Sequence, residues 1–191
     1  MRRKLYDTKG VIRELEELAA VLQDGNWISL PNGLRMDKVL HTDVCELILH
    51  LAAADGSIAA NEETLFQILS GYTDNAASMI QYIRSRGLAA ADFSSRIPDS
   101  ARLLTEAANN YYRANPEARE LMQTMLSNYL MALMAIGLQT VRSDTGSSPE
   151  ESRRLSAFMT KVLAHINTAS LVPVGMTYAQ LSAQTEAMLN A

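Results

Sequence analysis

Two acidic pairs in this chain share one spacing. Asp55 precedes Glu62 by seven residues, and Asp144 precedes Glu151 by seven. Residues 54–63 read Ala-Asp-Gly-Ser-Ile-Ala-Ala-Asn-Glu-Glu, and 143–151 read Ser-Asp-Thr-Gly-Ser-Ser-Pro-Glu-Glu. Each segment follows an apolar helical stretch and precedes an amphipathic one. The Asp falls where the first helix ends and the Glu in the first turn of the second. A tight turn between them folds both carboxylates toward one end of a helical hairpin. There a helix N-terminus offers partial positive charge and free N–H groups. Carboxylates held close resist joint ionisation unless a cation or a donor joins them. Capping is the competing explanation. Ser148-Pro149-Glu150-Glu151 forms a capping box, with Glu151 reaching back to Ser148. Asp55-Gly56 and Asp144-Thr145-Gly146 make ordinary helix-terminating turns. Capping accounts for each turn alone, but it does not demand the upstream Asp that both carry.

Other residue sets carry weaker chemistry. Asp43, Glu46 and His50 fall on one face of a helix at i, i+3 and i+7, a spacing at which three such ligand types can touch a metal. A solvated polar face is the favoured reading of them. His165 is expected at the exposed flank of its helix, near Lys161, and His41 is uninformative. Cys45, the one cysteine, lies mid-helix among apolar neighbours and reads as a buried, inert thiol. Arg84, Arg86 and Arg96 form a modest basic patch, and Tyr111, Tyr112 and Arg113 read as a core edge rather than a base-stacking platform. Asp55-Gly56-Ser57 begins like a calcium loop. However, Ala59 stands where an EF-hand needs an oxygen ligand and Ala60 where it needs glycine. A cation site would therefore need both acidic segments. The sequence holds neither a phosphate loop nor a dinucleotide fingerprint, and no nucleophile elbow.

The elements that position these residues are helical throughout. Apolar residues recur at helical spacing along most of the chain, without convincing strand alternation. Ile12, Leu15, Ala19 and Leu22 make the stripe of a helix over 7–24. A second helix runs over 36–54, with Leu40, Val44, Leu47, Ile48 and Leu51 on one face. A third begins near Ala59 with Leu65, Ile68, Leu69 and Tyr72 as its stripe, and a fourth is closed by Gly87. Residues 89–97 are ambiguous. Pro98-Asp99-Ser100 opens another helix. Asn115 as N-cap and Pro116 at the first helical position open a long one reaching about Arg142. Leu155, Phe158, Met159, Val162, Leu163 and Ile166 mark the next, and a last helix covers 178–189. Together these predict a single all-α domain over 1–191, a bundle of about seven to nine helices with most of the methionines in its core. Leu47, Leu51, Leu69, Leu130, Leu133, Phe158 and Val162 are expected to be nearly fully buried.

Composition narrows the function. The 191 residues carry 17 Lys plus Arg against 21 Asp plus Glu, a net charge of -4. That balance argues against a duplex-binding role, which needs many cations to displace counterions. A lone cysteine excludes an intrachain disulfide and suits a reducing compartment. The basic start Met1-Arg2-Arg3-Lys4 leads into charged rather than apolar residues, so it does not read as a signal peptide. The most apolar stretch, within 121–141, is interrupted by Gln123, Thr124, Ser127, Asn128 and Gln139 and reads as a buried central helix rather than a membrane span. A cytoplasmic chain is expected. Peripheral membrane contact and homodimerisation both stay open.

The first acidic segment, with Leu51-Ala52-Ala53-Ala54-Asp55-Gly56-Ser57-Ile58 followed by Glu62-Glu63, resembles the TerB-like family. This is the all-helical module named for bacterial tellurite resistance and also found beside DnaJ-type co-chaperone domains. The second segment resembles it less closely, with Gly146 one residue late and Ser147 in place of the hydrophobic residue. The resemblance covers about 37–167 and implies two related helix–turn–helix halves. It further implies a divalent-cation site at Asp55, Glu62, Asp144 and Glu151, with calcium preferred to magnesium because it tolerates an irregular oxygen set. A non-enzymatic, stress-related module that binds another protein follows from it. The alternatives are a plain helical scaffold or adaptor whose acidic turns only cap helices, and a metal-dependent enzyme.

Overall fold

Ile12, Leu15, Ala19 and Leu22 are all buried along one side of α1, Thr8–Asp24. The same periodic logic builds each helix that follows. The computed structural model describes residues 8–31, 33–54, 58, 60–70, 75–142 and 148–190. Its α-helices continue with α2 (Met36–Ala52), α3 (Ala60–Ser70), α4 (Ala76–Arg86), α5 (Asp99–Ala114), α6 (Arg119–Val141), α7 (Pro149–Ala169) and α8 (Tyr178–Asn190). The ambiguous stretch before α5 contains a 3-10 turn, Ala91–Ser95. Helix accounts for 80% of the chain, and no strand occurs among the described residues.

Helix α6 is the centre. It packs against α1, α2, α5, α7 and α8, and Tyr129, Leu130, Leu133, Met134 and Ile136 are at most 1% exposed. The segment Pro116–Val141 is long and apolar enough by length and composition to cross a membrane; 61% of its most apolar window is buried inside the fold. Gly137 makes the close approach to α7, because a Cβ there would overlap Leu155 Cδ1. One continuous core draws on all eight helices, so the pairs α2–α3 and α6–α7 share an interior. Of the expected core, Leu47, Leu51, Leu130, Leu133, Phe158 and Val162 are buried, while the side chain of Leu69 lies outside those described.

Several local expectations need correction. Pro116–Ala118 forms a 3-10 turn, and α6 proper starts at Arg119. Asn115 does not cap α6. Its Nδ2 donates back to the Tyr111 carbonyl at 3.1 Å, closing α5 instead. The stripe of α3 is also rotated. Ile68 is 54% exposed and Leu65 half-buried, whereas Phe66 is buried. Phe66 lies four residues after Glu62, so the inward face of α3 carries an acid and an aromatic together. Gly87 closes α4 as expected, with φ 66, a left-handed position that suits glycine. The connection from α1 to α2 is held by Trp27, whose ring meets Tyr111 edge-on with centroids 4.9 Å apart. Asn110 Nδ2 donates to the Trp27 carbonyl at 3.3 Å.

Candidate functional site

The first acidic segment connects α2 to α3, and the second connects α6 to α7. Asp55 and Asp144 lie outside the described residues. Both glutamates are inside the fold: Glu62, in the first turn of α3, is 3% exposed, and Glu151, in the first turn of α7, is 1% exposed. A carboxylate taken out of water costs several kcal/mol unless opposite charge or hydrogen bonds offset it. A capping carboxylate at a helix start can stay wet at no such cost. Ser148 does cap α7, its Oγ accepting from the Glu150 amide at 3.2 Å.

Glu150, beside Glu151, turns outward. Arg153 binds it through Nε at 2.9 Å and Nη2 at 2.8 Å, and Arg154 Nε at 3.2 Å. These donors hold the Glu150 carboxyl down to about 2. Arg154 also reaches across the fold, its Nη1 donating to the His50 carbonyl at 3.1 Å. That bond sets the start of α7 against the last turn of α2, from which the first acidic segment departs. Both α3 and α7 pack on α2. Among the described residues, no three His, Cys, Asp or Glu side chains are grouped to hold a metal; two of the four expected ligands lie outside those residues.

The expected solvated face of Asp43, Glu46 and His50 is instead a buried polar seam. His50 is fully buried, Glu46 is 9% exposed and Asp43 is half-buried. The chain from α4 to α5 covers them, and each has a partner there. His50 Nδ1 meets the Leu88 carbonyl at 2.5 Å, so Nδ1 carries the hydrogen and donates. Nε2 then accepts from Ser94 Oγ at 2.7 Å. Burial, with repulsion from Arg154, brings His50 down to about 4 despite the Leu88 bond. Glu46 accepts from Arg86 Nε at 2.9 Å and Nη2 at 2.8 Å. Asp43 Oδ2 accepts from the Ser100 amide at 2.6 Å, capping α5 from a neighbouring helix. Burial pushes Asp43 up to about 6, against the pull of the Ser100 bonds, with further repulsion from Asp99 and Glu46. Ser100 Oγ continues the network to the Tyr129 hydroxyl at 2.8 Å, and burial raises the Tyr129 phenol.

Ser94, Ser100 and Tyr129 were not legible as partners, because their bonds span 29 to 57 residues of chain. His165 also departs from expectation. It is half-buried, and burial with repulsion from Arg102 lowers its pKa. Cys45 agrees with it: 6% exposed, its thiol is pushed up to about 12 by burial and by Glu16 and Glu46. A thiol at that value is protonated and a poor nucleophile.

The chain matches no protein-family model, no curated protein and no solved structure. Any functional reading therefore rests on the chain's own geometry. His50, Glu46 and Asp43 hold elements together. The acidic turns differ, since each sends a glutamate inward from a helix start.

Proposed function

We propose that this chain is a non-enzymatic, TerB-like helical module whose two acidic turns, through Asp55, Glu62, Asp144 and Glu151, form one divalent-cation site that tunes binding to another protein. The observation that carries this reading is the burial of Glu62 and Glu151 in the first turns of α3 and α7. Two helix starts that follow matching turns have each withdrawn a carboxylate from water, which simple caps do not require. The Arg154 bond to His50 supports nearness of the two turns, because it ties the start of α7 to the end of α2. A partner would meet the outer face of α3, where Ile68 stands 54% exposed on the helix that begins with Glu62. A cation that sets the position of α3 would thereby set that face. Calcium fits an irregular set of carboxylates better than magnesium does.

The test is a thermal melting series with calcium, with magnesium and with chelator, on wild type, Asp55→Asn, Glu62→Gln, Asp144→Asn and Glu151→Gln. A cation that binds only the folded chain at 100 times its Kd adds about 2.7 kcal/mol. For a chain of this size that is a rise in Tm of roughly 5–10 °C. The expected result is such a rise with calcium in wild type, smaller with magnesium and reduced in every variant. If calcium leaves the midpoint unmoved, or shifts wild type and variants alike, the glutamates only cap and pack, and the chain is a plain scaffold or adaptor.

A further inference from the structure

We propose that the groove between α1, α6 and α8 receives a basic amphipathic helix of a partner protein, at a surface separate from the acidic turns and from the outer face of α3. A cavity of about 340 Å³ opens there. Leu15 of α1, 7% exposed, forms its floor. Val11 and Leu18 of α1, Met131 of α6 and Met188 of α8 form its walls and are only half-buried. The outer half of this apolar lining therefore faces water.

The lining continues past the cavity. Trp27, just beyond α1, packs on Tyr111 in the last turn of α5, and only residues 115–118 separate α5 from α6. The end of α1 thus lies on the side of the molecule where α6 begins. Val21, three residues after Leu18 on α1, is 66% exposed, and Leu121, seven residues before Asn128 on α6, is 58% exposed. Helical spacing keeps each on the face of the cavity residues of its own helix. Both extend the groove at that one end. Val11 to Val21 spans about 15 Å of helix. That length suits a docked helix with apolar anchors at i, i+3 or i+4, and i+7. The unbranched thioethers of Met131 and Met188 can reshape around different anchors.

Charge selects the occupant. Glu14 lines the cavity on the α1 side. On α6, Glu120, Thr124 and Asn128 follow one another at four-residue spacing, so Glu120 stands on the ridge that borders the groove. Glu14 and Glu120 are exposed, and among the described residues neither has an ion-pair partner. Of the described cationic side chains on α1 and α6, Arg13 is held by Glu17 at 3.6 Å. Arg119, nine residues before Asn128, falls on the opposite side of α6. An apolar trough with a carboxylate on each rim complements an apolar stripe flanked by Lys and Arg. An anionic membrane surface would meet like charge here. A two-fold contact with a second copy would set acidic rim against acidic rim in either direction.

The test is fluorescence anisotropy of the full chain with a fluorescein-labelled peptide of leucine and lysine in helical register, about 18 residues long. One control peptide carries glutamate in place of lysine, and another has the same residues in an order without a helical stripe. The expected result is saturable binding of one leucine–lysine peptide per chain, weakened by salt. Each control should bind at least roughly tenfold more weakly. Glu14→Lys, Glu120→Lys, Val21→Ser and Leu121→Ser should each weaken binding about three- to tenfold. All four positions are exposed, so the fold itself should change little. If the wild type does not bind, or if all four variants bind like wild type, the proposal is overturned. A concentration-dependent dimer in sedimentation velocity that Val21→Ser and Leu121→Ser abolish would assign the groove to a second copy instead. Peptide binding at least roughly tenfold tighter in a chain carrying Arg2→Gln, Arg3→Gln and Lys4→Gln would assign it to the chain's own basic start.

Discussion

The pair α6–α7 and the pair α2–α3 carry the same turn chemistry on very different packing. Helices α6 and α7 have 23 and 21 residues and cross closely at Gly137 and Leu155. Helix α3 has only 11. Among its described large apolar side chains, Phe66 alone is fully buried, while Ile68 faces out. Burying one such aromatic returns about 1.5–3 kcal/mol. Withdrawing Glu62 from water costs a comparable amount before compensation. Among its described side chains α3 thus shows one deeply buried aromatic, while α7 is held by a broad apolar contact. Both nonetheless keep an interior glutamate in the first turn. The feature that persists when the packing changes is the acid, which is why it points to a role beyond packing.

The comparison breaks most visibly in the deep pair. Leu133→Ala should lower the stability of the fold by about 2–5 kcal/mol, read from urea denaturation. A loss below roughly 0.5 kcal/mol would mean that α6 is not the central helix.

Acid sharpens the comparison on α2, where His50 and Asp43 are both shifted into the mildly acidic range. His50 is held at about 4 in the fold against an ordinary 6.5. The fold keeps it neutral, so its contribution is full above pH 6.5 and is lost as pH falls toward 4. Asp43 is held at about 6 against 3.8. The fold binds that proton more tightly than the unfolded chain does. Its cost is therefore full above pH 6 and is relieved as pH falls toward 4. The two effects oppose one another across one window. Asp43→Asn removes the relief, worth at most roughly 3 kcal/mol at 1.4 kcal/mol per pKa unit. Its urea midpoint should fall more steeply than that of wild type between pH 6.5 and 4. Parallel profiles would show that Asp43 does not titrate in this range.

The smallest effect belongs to the outer face of α3. Ile68→Ala should change stability by no more than about 0.5 kcal/mol while weakening attachment of any partner held there. A larger loss of stability would show that Ile68 packs inward and that α3 is as deeply set as α7.

Where local periodicity determines structure, the sequence was a good guide. The stripes of α1, α2 and α7, the stop at Gly87 and the central apolar helix follow from spacing that any reader of the chain can count. Three errors share another cause. The outward face of α2 was read from its own polarity. A covering segment, 88–100, supplies the Leu88 carbonyl, Ser94 and Ser100 from 38 to 57 residues away. Asn115 has the residue type of an N-cap but serves the helix behind it. On α3, the apolar residues allow two stripes, one through Leu65 and Ile68 and one through Phe66, and spacing alone does not separate them in so short a helix. Glu62 and Glu151 were legible as a pair from spacing. Their burial was not, because a first-turn glutamate has the same sequence signature whether it is wet or dry.

Trp27 has a practical consequence. It is the only tryptophan in the chain, half-buried against the Tyr111 ring and joined through its carbonyl to Asn110. Its indole emission therefore comes from a single known place, the seam where the α1–α2 connection lies on α5. Detachment of that connection would shift the emission to the red while the helical signal near 222 nm, roughly proportional to the number of intact helical residues, barely changed. Cooperative melting of the bundle would move both signals together. The chain thus carries its own optical gauge, able to distinguish peeling at one edge from collapse of the whole.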